Sequence, residues 1–380
     1  MASRVYLDWN ATAPLRPEAR AVMSAALDIG GNPSSVHMEG REARRVVEQA
    51  RAQVAASINA RADDIIFTSG GTEANAQALM PDWSVGSRTF RRLIVSAIEH
   101  PSALAGGRFA AAQVVKASVT GDGVVDLEKL RDLLATGEPA LVSIMLANNE
   151  TGAIQPIGEA AVLIHQAGGV LHVDAVQALG RVPLDAAALG ADLITLSAHK
   201  IGGPKGVGAL AIVNRDLRSS WPLLRGGGQE RNRRAGTENV VGIAGFGSAA
   251  AAACGNLAHE AGLLRRLRDR LEAGLASLPG ITVFAAASPR LPNTTLFALD
   301  GVRAETAVIA LDLEGVAVSS GAACSSGKVQ PSHVLAAMGI NQELARAAIR
   351  MSTGYATKEG DIDRALEAWR KLSGVLRKTQ

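Results

Sequence analysis

The chain of 380 residues contains two cysteines, Cys254 and Cys324, and no CxxC pair. That excludes a disulfide framework and a CxxC metal site, and it fits a reducing compartment. Aromatic residues make up only 3%, so the core has to be filled by small aliphatic side chains, as in closely packed, alanine-rich helices. The net charge of +3 is weak for this length, and no Lys/Arg run is interleaved with aromatics, which argues against a nucleic-acid surface. The densest basic spot, Arg231, Arg233 and Arg234, reads as a solvated loop, with an acidic partner as the second choice. No run of about 18 uncharged apolar residues occurs, and the start, MASRVYLDWNATAPL, has no apolar signal core. A cytoplasmic protein that avoids membranes is expected. The most apolar stretch, 240–254, is rich in Gly and Ala and reads as a buried helix.

What is present is a globular balance of 47% hydrophobic and 20% charged residues. Short apolar runs at 64–68, 92–97, 141–146, 170–174, 193–197 and 209–213 predict strands. Longer helical patterns at 72–78, 101–112, 127–135 and 157–167 alternate with them. Such βαβ alternation predicts a mostly parallel sheet covered on both faces. A long amphipathic helix is expected over 41–58. After about residue 255 the rhythm changes to a charged helix at 259–276, strands at 281–284, 294–299 and 316–319, and helices at 331–338 and 358–372. The expected α/β architecture is a large domain over 15–255 and a smaller α+β domain made of 1–14 and 256–380.

The polar residues of interest follow the C-terminal ends of expected strands, where an open α/β sheet binds ligands. Ser69-Gly70-Gly71-Thr72-Glu73 ends a strand and opens a helix, whose free N–H groups suit a phosphate. An ordinary turn capped by Thr72 is the plainer alternative. Asp174 closes the strand VLHVD, where a carboxylate needs a cationic partner, a metal or a capping role; Gln177 lies three residues on. Ser197-Ala198-His199-Lys200 precedes a glycine-rich loop. A buried lysine there, once deprotonated, can form a Schiff base, and Ser197 and His199 can donate to a phosphate. His100 and Asn148-Asn149-Glu150 follow two further strands. Cys324 sits in SSGAACSSG, among small residues, as an exposed thiol on a flexible arm would. Cys254, within an alanine run, reads as a small core hydrophobe.

Together the segments YLDWNAT, GNPSSVH, FTSGGTEAN, ANNETGAIQPI, HVDAVQ, SAHKIGGPKGVGAL, GGGQERNRRAGTEN, SSGAACSSG and IRMSTG resemble the cysteine desulfurases of the nitrogen-fixation and iron–sulfur-cluster type, within the class V aminotransferases. The resemblance implies the pyridoxal 5′-phosphate (PLP) transferase fold type I and a homodimer with the site at the subunit interface. It implies L-cysteine as substrate and an iron–sulfur scaffold protein or other sulfur acceptor as partner. It makes Lys200 the Schiff-base lysine, Asp174 the partner of the pyridine nitrogen, His100 the residue stacked on the ring and Gln177 the partner of the phenolic oxygen. Asn149 would lie beside ring and substrate. Gly71, Thr72, Ser197, Ala198 and His199 would hold the phosphate, with Thr237 donated by the partner subunit. Arg350 becomes the clamp for the substrate carboxylate. Cys324 becomes the sulfur acceptor and a transient iron–sulfur ligand shared with a scaffold.

Two departures stand out. The loop reads AACSSG where many relatives have SACTSG, and Trp9 replaces a small polar residue. Both bear on acceptor preference rather than on the reaction. Selenocysteine lyase is the nearest alternative. A class V transaminase needs no thiol, a non-catalytic partner protein has no need of the intact polar set, and a nucleotide-binding oxidoreductase lacks its GxGxxG after the first strand.

Overall fold

The computed structural model describes residues 4–219, 222–321 and 332–376, with side chains as far as residue 373. Seven strands form the main sheet: β1 (Ile65–Thr68), β2 (Arg92–Ser96), β3 (Val114–Ala117), β4 (Ala140–Met145), β5 (Val170–Asp174), β6 (Leu193–Ser197) and β7 (Gly208–Ile212). Their order is β1-β7-β6-β5-β4-β2-β3. All run in one direction except β7, which is antiparallel to both β1 and β6. Residues of β4, β5 and β6 are buried throughout, as expected for strands covered on two faces.

The helices that matter for the site and the main core are α1 (Pro17–Ala26), α2 (Met38–Ala56), α3 (Gly71–Ala78), α4 (Pro101–Leu104), α5 (Leu127–Ala135), α6 (Ile157–Gln166), α7 (Val240–Gly255) and α8 (Leu257–Ala276). On one face of the sheet Val47 and Val54 of α2 and Phe246 and Ala250 of α7 pack with Ile144, Val173 and Ile194. On the other, Ala74 and Ala78 of α3 meet Leu93, Leu141 and Leu210. The apolar 240–254 stretch is thus a core helix. Among the described residues no single helix is long and apolar enough to cross a membrane; α7 and α8 combine the length and the apolar composition only as a pair bent by 73°.

A second sheet, wholly antiparallel, is built from β8 (Ile281–Val283), β9 (Thr294–Leu299), β10 (Ser319–Ser320) and β11 (Ala348–Ser352), in the order β8-β9-β11-β10. The core beside it joins Val5 and Leu7 from the start of the chain to Leu271, Phe297, Ile349 and Trp369. The expected strand over 316–319 is divided between a two-residue pairing at Val316–Ala317 and β10.

Two expectations need correction. The helix foreseen over 101–112 stops at Leu104. Gly106 and Gly107 take left-handed φ values of 77° and 57°, and a Cβ at Gly107 would lie 2.0 Å from the Leu79 carbonyl oxygen. The chain therefore turns under α3 and supplies β3, which had not been expected. Its sequence VVKA sits at the sheet edge with Lys116 exposed, so it has no continuous apolar run. The arginines after residue 230 are also more than a solvated loop: Arg231 pairs with Asp63 and Arg234 with Glu73.

Candidate functional site

Five strand ends converge on one cavity of about 300 Å³, lined among others by Gly71, Thr72, His100, Asn149, Asp174, Gln177, Ser197, His199, Lys200 and Arg350. Nearly all the residues singled out from the sequence are brought together here. Ala198 is not: it is buried and its amide donates to the Val207 carbonyl at 3.1 Å, so it has no N–H to offer a phosphate. Thr237 is exposed and does not line this chain's cavity. Cys324 lies outside the described residues.

Each wall follows from its strand. β1 ends at Thr68 and the chain enters α3 at Gly71. Gly70, not Thr72, stands at the N-cap position, and Glu73 accepts from the Ser69 amide at 2.8 Å. A Cβ at Gly71 would come within 3.0 Å of Val176 and 3.5 Å of Ser197, so a larger residue would press the Val176 side chain away where helix and strand ends close in around the cavity. The first turn of α3, with Thr72, Ser197 and His199 beside it, is an anion cradle by its donors and its dipole.

Asp174 ends β5 and is 5% exposed. Its carboxylate accepts from Asn75 Nδ2 at 2.8 Å and from the Val176 amide at 3.0 Å. Those partners are neutral. Asp174 makes no ion pair among the described residues, so this buried anion faces the cavity with its charge unbalanced, which calls for a cationic ligand nitrogen. Behind it, Ser143 Oγ lies 2.9 Å from His172 Nδ1, and His172 Nε2 lies 2.9 Å from Thr195 Oγ1. Burial pushes the His172 pKa down to about 4, so this ring is neutral.

Lys200 follows β6. Its Nζ donates to the carbonyl oxygens of Asn10 and Ala11 at 2.7 and 2.8 Å. His199 is pushed down to about 4 by burial first, then by Lys200, Lys205 and Arg181, and its Nδ1 lies 3.1 Å from Thr12 Oγ1. His100 caps α4, accepting from the Ser102 amide, and burial lowers its pKa against the opposing pull of Asp174. Both imidazoles are therefore uncharged at neutral pH. Arg350, on β11, is 2% exposed. It donates to the Asn149 carbonyl at 2.9 Å and pairs with Asp8 at 2.8 Å, and its Nε has no partner among the described residues.

Sequence reasoning missed Asp8, Asn10, Asn75, Glu99 and Arg181. Asp8 and Asn10 come from the start of the chain, 342 residues from Arg350 in the case of Asp8, and no local pattern links them. Glu99 stands beside His100 in the sequence, which was a usable signal. Among the described residues no group of three or more His, Cys, Asp or Glu side chains is placed to hold a metal.

The cavity can therefore hold a planar ligand with an anionic group at α3, a cationic ring nitrogen at Asp174 and a carbonyl carbon at Lys200, and Arg350 lines it as a guanidinium able to bind a carboxylate. The Aminotransferase class-V family model matches residues 5–365. A cysteine desulfurase of Cereibacter sphaeroides is 45% identical over 98% of this chain and 97% of its own length. The cysteine desulfurase IscS of Dictyoglomus turgidum is 41% identical over 99% and 96%. In structure, a NifS-like protein from Rickettsia africae superposes with a TM-score of 0.90 at 36% identity, covering 98% of this chain and 99% of that one. The chain belongs to the class V aminotransferases, a PLP-dependent family, and within them to the cysteine desulfurases.

Proposed function

We propose that this cavity is the active site and that it converts L-cysteine to L-alanine, leaving the sulfur on Cys324. The observation that carries the reading is the pairing of Lys200 with the unbalanced, buried Asp174 across one cavity. PLP, when bound, supplies an electron-poor ring that draws electrons from the substrate carbons.

The chain's own residues do the rest. Lys200 anchors the cofactor carbon and later moves the Cα proton. Asp174 keeps the ring nitrogen protonated, and Asn75 orients that carboxylate. His100 covers the ring, Gln177 meets the phenolic oxygen, and Asn149 lies beside ring and substrate. The first turn of α3 from Gly71, with Thr72, Ser197 and His199, holds the phosphate; Thr237 of the partner subunit completes it in a homodimer. Arg350 takes the substrate carboxylate, a task that suits its planar fork. The Cys324 thiolate attacks the substrate sulfur. The new S–S bond forms as the Cβ–S bond breaks, the electron pair goes to Cβ, and protonation there gives alanine. L-cysteine and the Cys324 thiol thus become L-alanine and a persulfide, with no outside oxidant. The sulfur then passes to an iron–sulfur scaffold protein or another acceptor, and Cys324 is the residue that would touch a cluster in transit. We also infer the division into a domain over 15–255 and a smaller one from 1–14 and 256–380, supported by the separate core that joins Val5 and Leu7 to Trp369.

Purified enzyme supplied with cysteine, and separately with selenocysteine, is expected to release alanine from cysteine. Cys324→Ala keeps the visible absorbance of the lysine-bound cofactor and releases no alanine; full turnover by it would sink the sulfur-transfer step. Lys200→Ala loses that absorbance and slows the reaction by roughly 10²–10⁴-fold.

A further inference from the structure

Arg181 follows Gln177 by four residues and lies behind the wall of the cavity. It lines a small neighbouring space with Trp9, Tyr355 and the far side of Lys200, and it is 6% exposed. Its hydrogen-bond partners among the described residues are all neutral oxygens. It donates to the Gln177 side-chain Oε1 in a close contact, to the Gln177 carbonyl at 3.1 Å, to the Lys200 carbonyl at 3.2 Å and to the Trp9 carbonyl at 3.5 Å.

A guanidinium only donates, whereas an amide has one accepting end and one donating end. Arg181 therefore fixes which way Gln177 is turned. Its Oε1 must face the guanidinium, and its Nε2 must face inward. One inward N–H reaches the Asn10 carbonyl at 3.0 Å; the other is left for the cavity that Gln177 lines. Reversed, the amide would set N–H groups against N–H groups in a buried place, and a buried donor without an acceptor is costly.

The charge acts in addition to the geometry. Burial and the Arg350 guanidinium push the pKa of Arg181 down to about 9, so it stays cationic at neutral pH. The one carboxylate that shares its small space, Glu260, is already bonded to Arg16; among the described residues none bonds to Arg181, and an unpaired buried cation is felt at longer range than a paired one.

We propose that Arg181 is a positioning residue that locks Gln177 as a hydrogen-bond donor to the phenolic oxygen of the cofactor and sets an unbalanced positive charge behind Lys200, so that the lysine–cofactor nitrogen holds a proton weakly. This rests on the reading of Lys200 as the cofactor lysine. The sign is the same for both effects. Removing the nearby cation favours a proton on that nitrogen, and losing the N–H donor removes stabilisation of the anionic oxygen that is strongest when the proton is gone.

The test is a pH titration of the visible absorbance of the cofactor-loaded enzyme. Arg181→Met is expected to raise the midpoint, with about tenfold higher proton affinity. Arg181→Lys, which keeps the charge and a donor, holds the midpoint close to that of the parent. Arg181→Gln, neutral yet able to hydrogen bond, carries the same expectation of a raised midpoint should Arg181→Met not fold. A lowered melting temperature with an unmoved midpoint in the neutral variants overturns the proposal and leaves Arg181 a packing residue. Failure of the underlying site reading looks different: Lys200→Ala would then keep the absorbance of the parent.

Discussion

Glu99 shows how one buried group can be read through pH. It is fully enclosed. Its Oε1 accepts from the Met145 amide at 2.5 Å, and the Ser143 hydroxyl stands 3.5 Å from Oε2. Burial, and after it the Asp174 carboxylate, raise its pKa from 4.5 to about 8. The folded protein thus binds a proton that the unfolded chain has released across that interval, and stability must fall as pH rises through it. Glu99→Gln has the shape of the protonated acid and no proton to lose. Its melting temperature relative to the parent is expected to climb steadily from pH 4.5 to about 8, measured by calorimetry on the loaded enzyme. A flat difference would show that Glu99 is ionised in the fold. The proton on Glu99 also spares Asp174 a second negative charge close by, so that in the proposed site Asp174 alone would answer the ring nitrogen.

At the scale of elements, the turn after α4 decides where β3 can form. The backbone at Gly107 is left-handed at φ 57°, and the Leu79 carbonyl stands where a Cβ would go. The Arg108 amide then donates to that same carbonyl at 3.0 Å. Gly107→Ala pays for the backbone alone about 1–3 kcal/mol, and the clash adds to it. Urea unfolding is expected to shift to a lower midpoint with the slope unchanged; a midpoint within error of the parent would mean that the turn relaxes freely. The same turn explains the correction to the helix over 101–112. Helical spacing of apolar residues continues through that stretch, but it cannot hold where two consecutive glycines turn left-handed.

At the scale of the whole molecule, one buried ion pair joins the segment before α1 to α8. Arg16 and Glu260 meet in a two-pronged contact at 2.8 and 2.6 Å, and Arg16 Nε donates to the Ile201 carbonyl at 2.9 Å, next to Lys200. Its guanidinium lies 4.2 Å from the centre of the Tyr355 ring. Arg16→Met strands a carboxylate and is expected to destabilise by about 3–5 kcal/mol. Arg16→Met with Glu260→Leu should recover much of that loss, because the cost lies mainly in the uncompensated charge. Denaturant unfolding of both variants checks this, and a double variant less stable than the single one would contradict it.

Much of the fold was legible in the sequence. The runs LIVS, LVSIM, VLHVD and LITLS are mostly apolar because both faces of those strands are covered, and the polar residue that lines the cavity stands at the strand end (Asp174, Ser197) or four residues past it (His100, Asn149). Local signals of this kind marked Asp174, Lys200, His100 and the turn into α3. The partners that make those residues work were not legible. Asp8 reaches Arg350, Asn10 reaches Lys200 and Gln177, and Arg16 reaches Glu260 from the start of the chain. Ala198 carries the reverse lesson: it stands between two cavity residues, yet the Val207 carbonyl, just before the antiparallel strand β7, captures its amide. Sequence alone determines which chemical groups end each strand, since burial of a strand is written in its neighbours. Which of those groups keeps an unmet charge or a free donor is a matter of contacts across hundreds of residues, and only the tertiary structure decides that.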